Sequence, residues 1–229
     1  MDRGRHERVD DSIAAQVRYY DLRAPDYLNP LAPSDRRARG VLEPRDLRLL
    51  VDELAPSGDV LELACGPGGF TAELARHAAT VTAVDASRQM LARNRAEVDR
   101  PNVRYIQADL FNWRPERPYD LVFFGFWLSH VPPSRLDDYW RLVRACVRDD
   151  GRVAFVDEDD RGSDHDDVRI VDGVPLARRT LGDGRAFDVI KLFWNPDELT
   201  ARLQRLGWNF VIRPVHDTLM YGVGTFGGE

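Results

Sequence analysis

Cysteine is scarce: the 229 residues hold two. Cys65 and Cys146 fall in distant parts of the pattern, so neither a disulfide framework nor a Cys-rich metal site is expected, and a reducing compartment fits. Long apolar runs are missing too. The longest, Leu121 to Leu128, is far too short to span a bilayer, and the N-terminus from Met1 to Arg8 is charged with no apolar stretch behind it. Neither export nor membrane insertion is expected, and the cytoplasm is the expected location. Positive charge is not in excess. A net charge of -6 and a pI near 5.4 argue against a chain that holds a polyanion by charge, so no nucleic-acid substrate is expected. There is no internal repeat. The hydrophobic share of 43% and charged share of 31% are those of an ordinary globule long enough for one sizeable core.

Within that frame the first ten residues read as a solvated tail. Ile13, Val17 and Tyr20 give 11–23 a helical pattern that ends at Ala24-Pro25. The Pro- and Arg-rich stretch 29–40 reads as a mobile loop. Pro44 opens a second helix, with Leu47, Leu50, Val51 and Leu54 at helical spacing, stopped by Pro56-Ser57-Gly58. Short apolar runs then alternate with helical stretches, the pattern of a doubly wound parallel sheet. Strands are expected at 60–64, 80–84, 103–107, 121–125 and 152–156, and helices at 70–77, 87–98 and 134–147, the last capped by Ser134. Beyond lies the acidic run from Asp157 to Asp167, read as a solvated loop. Gly182-Asp183-Gly184 marks a hairpin turn between 176–181 and 185–194. Asn195-Pro196 caps a last helix, and 208–213 with 218–223 form a closing antiparallel pair. The expected whole is a single α/β domain: tail and helical segment over 1–57, core over 58–157, hairpin insertion and last elements over 158–229.

The informative segment runs Val60-Leu61-Glu62-Leu63-Ala64-Cys65-Gly66-Pro67-Gly68-Gly69-Phe70-Thr71, a buried strand leading through a Gly-rich turn into a helix. Gly66 and Gly68 clear the backbone for close approach of a ligand, and the helix start offers unpaired amides, which suits a nucleotide-like group at the carboxyl ends of the strands. Asp85 ends the next strand, where a carboxylate can accept both hydroxyls of a ribose. The turn alone does not separate a nicotinamide dinucleotide from other adenosine cofactors. Thr71 stands where a dinucleotide fingerprint has its third glycine, and Glu62 precedes the turn within the strand.

Taken in order and spacing, E-L-A-C-G-P-G-G, V-D-A-S-R-Q-M and Q-A-D-L-F resemble the successive cofactor motifs of class I S-adenosylmethionine (SAM)-dependent methyltransferases, over roughly residues 11 to 157. The resemblance implies a Rossmann-like, mainly parallel seven-stranded sheet with an antiparallel C-terminal strand. It also implies SAM as cofactor and S-adenosylhomocysteine (SAH) as product. Carried over by position, Glu62, Ala64, Gly66 and Gly68 form the methionine side of the site, Asp85 and Ala86 the ribose side, and Met90, Asp109 and Leu110 the adenine side, with Phe124 at the end of the fourth strand. Tyr19-Tyr20-Asp21-Leu22-Arg23-Ala24-Pro25-Asp26-Tyr27 resembles the segment that folds over SAM as a lid in many small-molecule members. It implies a cofactor contact from Tyr20 and an acceptor contact from Tyr19.

For the acceptor side, Gly125-Phe126-Trp127-Leu128-Ser129-His130-Val131-Pro132 resembles a loop of a bacterial subgroup of small-molecule methyltransferases. His130 has the near-neutral intrinsic pKa of a general base and is the candidate for that role, with substrate binding and a purely structural place as alternatives. Trp127 is a candidate pocket wall, and Lys191, on the expected hairpin, a candidate substrate contact. The loop lacks the Asn/Asp-Pro-Pro-aromatic motif of enzymes that methylate DNA bases and the carboxylates of metal-dependent catechol enzymes, and no metal is expected. The function implied is methyl transfer to an O or N nucleophile of a small metabolite, with a homodimer possible. Two alternatives stay open: a SAM-fold cyclase or isomerase, and a SAM-binding regulator.

Overall fold

The computed structural model describes residues 2–27 and 42–227; the Pro- and Arg-rich stretch 29–40 lies outside them. The chain opens with helix α1 (Asp2–Arg23), a single 3-10 turn (Ala24–Asp26) and helix α2 (Pro44–Leu54). Strands β1 (Asp59–Leu63), β2 (Thr80–Asp85), β3 (Val103–Gln107), β4 (Tyr119–Gly125) and β5 (Val147–Glu158) follow, interleaved with helices α3 (Gly69–Leu74), α4 (Arg88–Glu97) and α5 (Leu136–Cys146). A small antiparallel sheet, β6 (Val168–Val171), β7 (Val174–Thr180) and β8 (Ala186–Ile190), precedes helix α6 (Pro196–Arg205) and strands β9 (Trp208–His216) and β10 (Leu219–Phe226).

The main sheet has the order β3-β2-β1-β4-β5-β10-β9. β10 runs antiparallel to both of its neighbours, and the first five strands in that order are parallel. This is the Rossmann-like arrangement that the alternating pattern implies. Strand order reverses between β1 and β4, and the crevice at their carboxyl ends is where such sheets bind ligands. Side-chain alternation gives each face its own core. On one face Leu61, Leu63, Val122 and Phe124 pack with Trp140, Leu136 and Val143 of α5; on the other Val60, Leu121 and Phe123 pack with Val51 and Leu54 of α2 and Leu74 of α3. No described helix is long and apolar enough to cross a membrane.

Four local readings are corrected. Helix α1 begins at Asp2, not Asp11, because Val9 extends the apolar stripe by one turn and is buried with Ile13 against Val174, Leu176 and Ile190 of the small sheet. Ser134 does not cap α5: residues 133–135 form a separate 3-10 turn, and the position before α5 is Arg135, with no side-chain cap. The insertion has three strands, not two, since β6 pairs with β7. The acidic run is only partly solvated. β5 continues into it, so Asp157 is fully buried; Asp159 just beyond is buried as well, ion-paired with Arg161, and Asp166 makes a bidentate pair with Arg179.

Candidate functional site

The Gly-rich turn is held open by its own backbone. Ala64, Gly66 and Gly68 all have positive φ, at 52°, 53° and 105°. A Cβ added at Gly68 would come within 2.7 Å of Asn94 Oδ1, whereas one added at Gly66 would meet nothing within 4 Å. Gly68 is there because α4 packs against the turn; Gly66 faces free space that a ligand can fill. A buried chain supports the turn from behind. Thr71 Oγ1 donates to Glu62 Oε2 (2.6 Å), Asn94 Nδ2 donates to Thr71 Oγ1 (2.8 Å) and to the Gly66 carbonyl (3.2 Å), and Tyr105 OH donates to Asn94 Oδ1 (3.0 Å). Burial pushes the Glu62 carboxyl up to about 8, although the Thr71 hydroxyl favours its ionised form.

At the end of β2 the Asp85 carboxylate accepts the Gly66 amide on Oδ2 (2.9 Å) and the Ser87 amide on Oδ1 (2.8 Å). Burial pushes it up to about 6. Each oxygen keeps acceptor capacity for a further donor, which is what a ribose diol offers. Beside it opens a cavity of about 700 Å³, lined by Ala86, Gln107, Ala108, Asp109 and Phe111 from the core and by Ile13, Ala14 and Val17 of α1. Asp109 is fixed there by the Phe111 amide (3.0 Å) and the Asn112 side-chain amide (2.6 Å). Met90 and Leu110 are buried nearly completely. The turn, the diol acceptor and the cavity beside Asp109, whose lining also includes Asp10, Asn112 and Arg135, together fit an adenosine-bearing cofactor with an extended polar arm.

A family model described as a methyltransferase domain matches residues 60–151. The solved structure titled "DhpI-SAH complex structure" superimposes with a TM-score of 0.78 at 38% identity, covering 95% of this chain and 98% of that one. The "DhpI-SAM-HEP complex" gives 0.78 at 37% identity, covering 93% and 97%. Trans-aconitate 2-methyltransferase of Escherichia coli O139:H28 (strain E24377A / ETEC) is 39% identical over 75 residues, which is 32% of this chain and only 29% of that relative's length. The chain belongs to the class I SAM-dependent methyltransferases.

SAM is the cofactor of this methyltransferase, and the residues above fit it. The loop expected to form the acceptor side lies where β4 ends. Phe126 there has a φ of 54°, a strained value for a non-glycine residue, and Gly125 leaves room for the Phe70 ring. The loop is tied down at Ser129, whose amide donates to Asp157 Oδ2 (3.0 Å) and whose carbonyl accepts the Leu192 amide (2.8 Å). His130 is buried. Its Nδ1 lies 2.6 Å from the Ile190 carbonyl, which can only accept, so the proton sits on Nδ1, and Nε2 accepts from Tyr20 OH at 2.9 Å. Burial, reinforced by the positive charges of Lys191, Arg179 and Arg23, pushes His130 down to about 3. Burial likewise drives the Tyr20 phenol well up.

Lys191, the only lysine in the sequence, is buried, donates to Ser129 Oγ (3.3 Å), pairs with Glu158 and is pushed down to about 8 by burial, against the pull of Asp157. Trp127 lies beside Phe111 and Tyr139, and its buried indole N–H has no hydrogen-bond partner among the described residues. Tyr19 is wholly buried against Phe187, Leu181 and Val189. Tyr20 and His130 thus meet, Lys191 reaches the neighbouring Ser129, and Tyr19 packs under the small sheet. Phe124 lies in the core, stacked on Phe155 at 5.5 Å between ring centroids.

The sequence reading passed over Arg179, Asn94 and Tyr105, and read Thr71 only as the residue in place of a third glycine, not as a member of the network behind the turn. A signal existed for the first: Arg178 and Arg179 are neighbours on a strand, so one must face inward. For the other three, nothing in the local pattern marks a polar residue as part of a network joining two helices and two strands.

Proposed function

We propose that this enzyme transfers the SAM methyl group to an oxygen of a small acidic metabolite, a narrower form of the expected O or N nucleophile. What supports this reading is the positive charge of Arg23, Arg179 and Lys191 around the Tyr20–His130 pair, with Arg179 and Lys191 held by Asp166 and Glu158, whose places an acid acceptor would have to take. When bound, SAM supplies an electrophilic methyl on a good leaving group; the protein has to bind the acceptor, aim it and exclude water. An ionised oxygen acid needs no proton removed at neutral pH, since carboxyls titrate near 4. A histidine lowered to about 3, with Nε2 already accepting from Tyr20, suits such an acceptor. In this reading His130 positions the Tyr20 hydroxyl, and Lys191 and Arg179 hold the acid. The name of the partly matched relative, a trans-aconitate methyltransferase, points to the same acceptor class.

The pH profile tests the reading. Lys191 loses its charge as pH rises through about 8, so kcat/KM for the acceptor is expected to fall above that pH, and Lys191→Ala to remove the limb together with most acceptor affinity. A rate that instead climbs with pH and loses its climb in His130→Ala would restore His130 as general base and favour an alcohol or amine acceptor.

A further inference from the structure

The end of α1 is fastened to the cofactor site through a residue that the cofactor motifs do not include. Asp21, in the last turn of α1, accepts on Oδ1 from Ser87 Oγ at 2.7 Å and from the Gln89 amide at 3.0 Å. It therefore serves the first turn of α4 as a cap supplied from another element. The same Ser87 gives its amide to Asp85 and accepts the Met90 amide on its hydroxyl. Two carboxylates, one on the lid and one for the ribose, are thus joined through a single serine. A second fastening lies one turn further along α4, where Arg93 Nη1 donates to the carbonyls of Ala24 (2.7 Å) and Tyr27 (2.9 Å). Ile13, Ala14 and Val17 of α1 line the cavity beside Ala86 and Asp109, so the helix that Asp21 anchors is also the roof of the adenine pocket.

Resting on the SAM assignment above, we propose that Asp21 is a positioning residue for the cofactor, its carboxylate holding α1 on the first turn of α4 so that docking of the lid and occupancy of the ribose site favour one another. Coupling of this kind is reciprocal: if a docked α1 tightens cofactor binding, bound cofactor must protect α1 by the same factor.

The test is calorimetric titration of the full chain with SAH, paired with hydrogen exchange of α1 with and without SAH. Wild-type binding checks the cofactor assignment by itself. Asp21→Ala is expected to weaken SAH by about fivefold or more and to abolish the SAH-induced protection of α1, while Asp21→Asn, which keeps an acceptor oxygen, recovers most of both. Should Asp21→Ala not fold, Ser87→Ala removes the hydroxyl that donates to Asp21, keeps the amide on Asp85, and is expected to show the same paired losses. SAH affinity equal to wild type in these variants, or weakened affinity with α1 still protected on binding, would overturn the proposal.

Discussion

Glu62, buried, and Asp85, half-buried, are carboxyls on adjacent strands, and desolvation raises both, yet they behave differently. Glu62 faces a hydroxyl inside the protein; Asp85 faces amides and the cavity. A carboxyl whose folded pKa is raised binds more protons in the folded than in the unfolded state, so its contribution is fully present below the unfolded value and is lost as pH rises through the folded one. For Glu62 that window runs from its ordinary 4.5 to about 8. Glu62→Gln, which mimics the protonated form, is expected to melt near wild type at about pH 4 and progressively above it as pH rises to about 9; parallel losses in the two proteins would contradict this assignment. For Asp85 the consequence falls on binding. Affinity for SAM is expected to rise with pH through about 6, and Asp85→Ala to weaken it by at least about tenfold in calorimetry, because a charged acceptor for two hydroxyls is removed. Asp85 and Gly66 were legible from sequence because motif spacing fixes them. Tyr20 and His130 were each singled out, but their pairing across 110 positions was not, since only the docking of α1 brings them together.

At the scale of elements, the glycine turn makes a sharper prediction than any single side chain. Gly66→Ala places a methyl where nothing lies within 4 Å, at a strained φ of 53°, so the protein is expected to fold at a cost of about 1–2 kcal/mol and to lose SAM, whose place the methyl would take. Gly68→Ala adds a clash with Asn94 at 2.7 Å to a comparable strain, and is expected to cost more stability than Gly66→Ala in thermal melts. A Gly66→Ala protein with normal SAM affinity would remove the turn from the site. Strands β1 to β4, α2 and the Asn195 cap of α6 followed from apolar runs and cap residues and were read nearly to their ends, whereas β5 starts five residues before the expected 152 and ends two beyond 156. The early start of α1 and the strand β6 were not. Val9 reads as one apolar residue in a charged tail until Val174 and Ile190 are brought beneath it, and a four-residue strand with exposed Ile170 carries no alternation to find.

Over the whole molecule, two sheets divide the work. The seven-stranded sheet carries the cofactor residues in an order and spacing that sequence alone can reveal. The three-stranded insertion supplies Arg179 and, just past β8, Lys191; α1 supplies Tyr20 and Arg23. In the proposed reading the acceptor site is the seam where α1, the β4 loop and the insertion meet, and the charges there come together only in three dimensions. The single lysine of this protein of net charge -6 is buried at that seam, paired with Glu158, and Arg179 is paired with Asp166, so an acid held there would compete with these carboxylates. The central claim is tested most directly by measuring SAH release, with mass spectrometry of the product, over a panel of small oxygen acids and their neutral amides and amines. The account predicts turnover with one or more of the acids, methylated on oxygen and lost in Lys191→Ala, and none with their neutral counterparts. Methyl transfer to the neutral compounds, undiminished by Lys191→Ala, would contradict it.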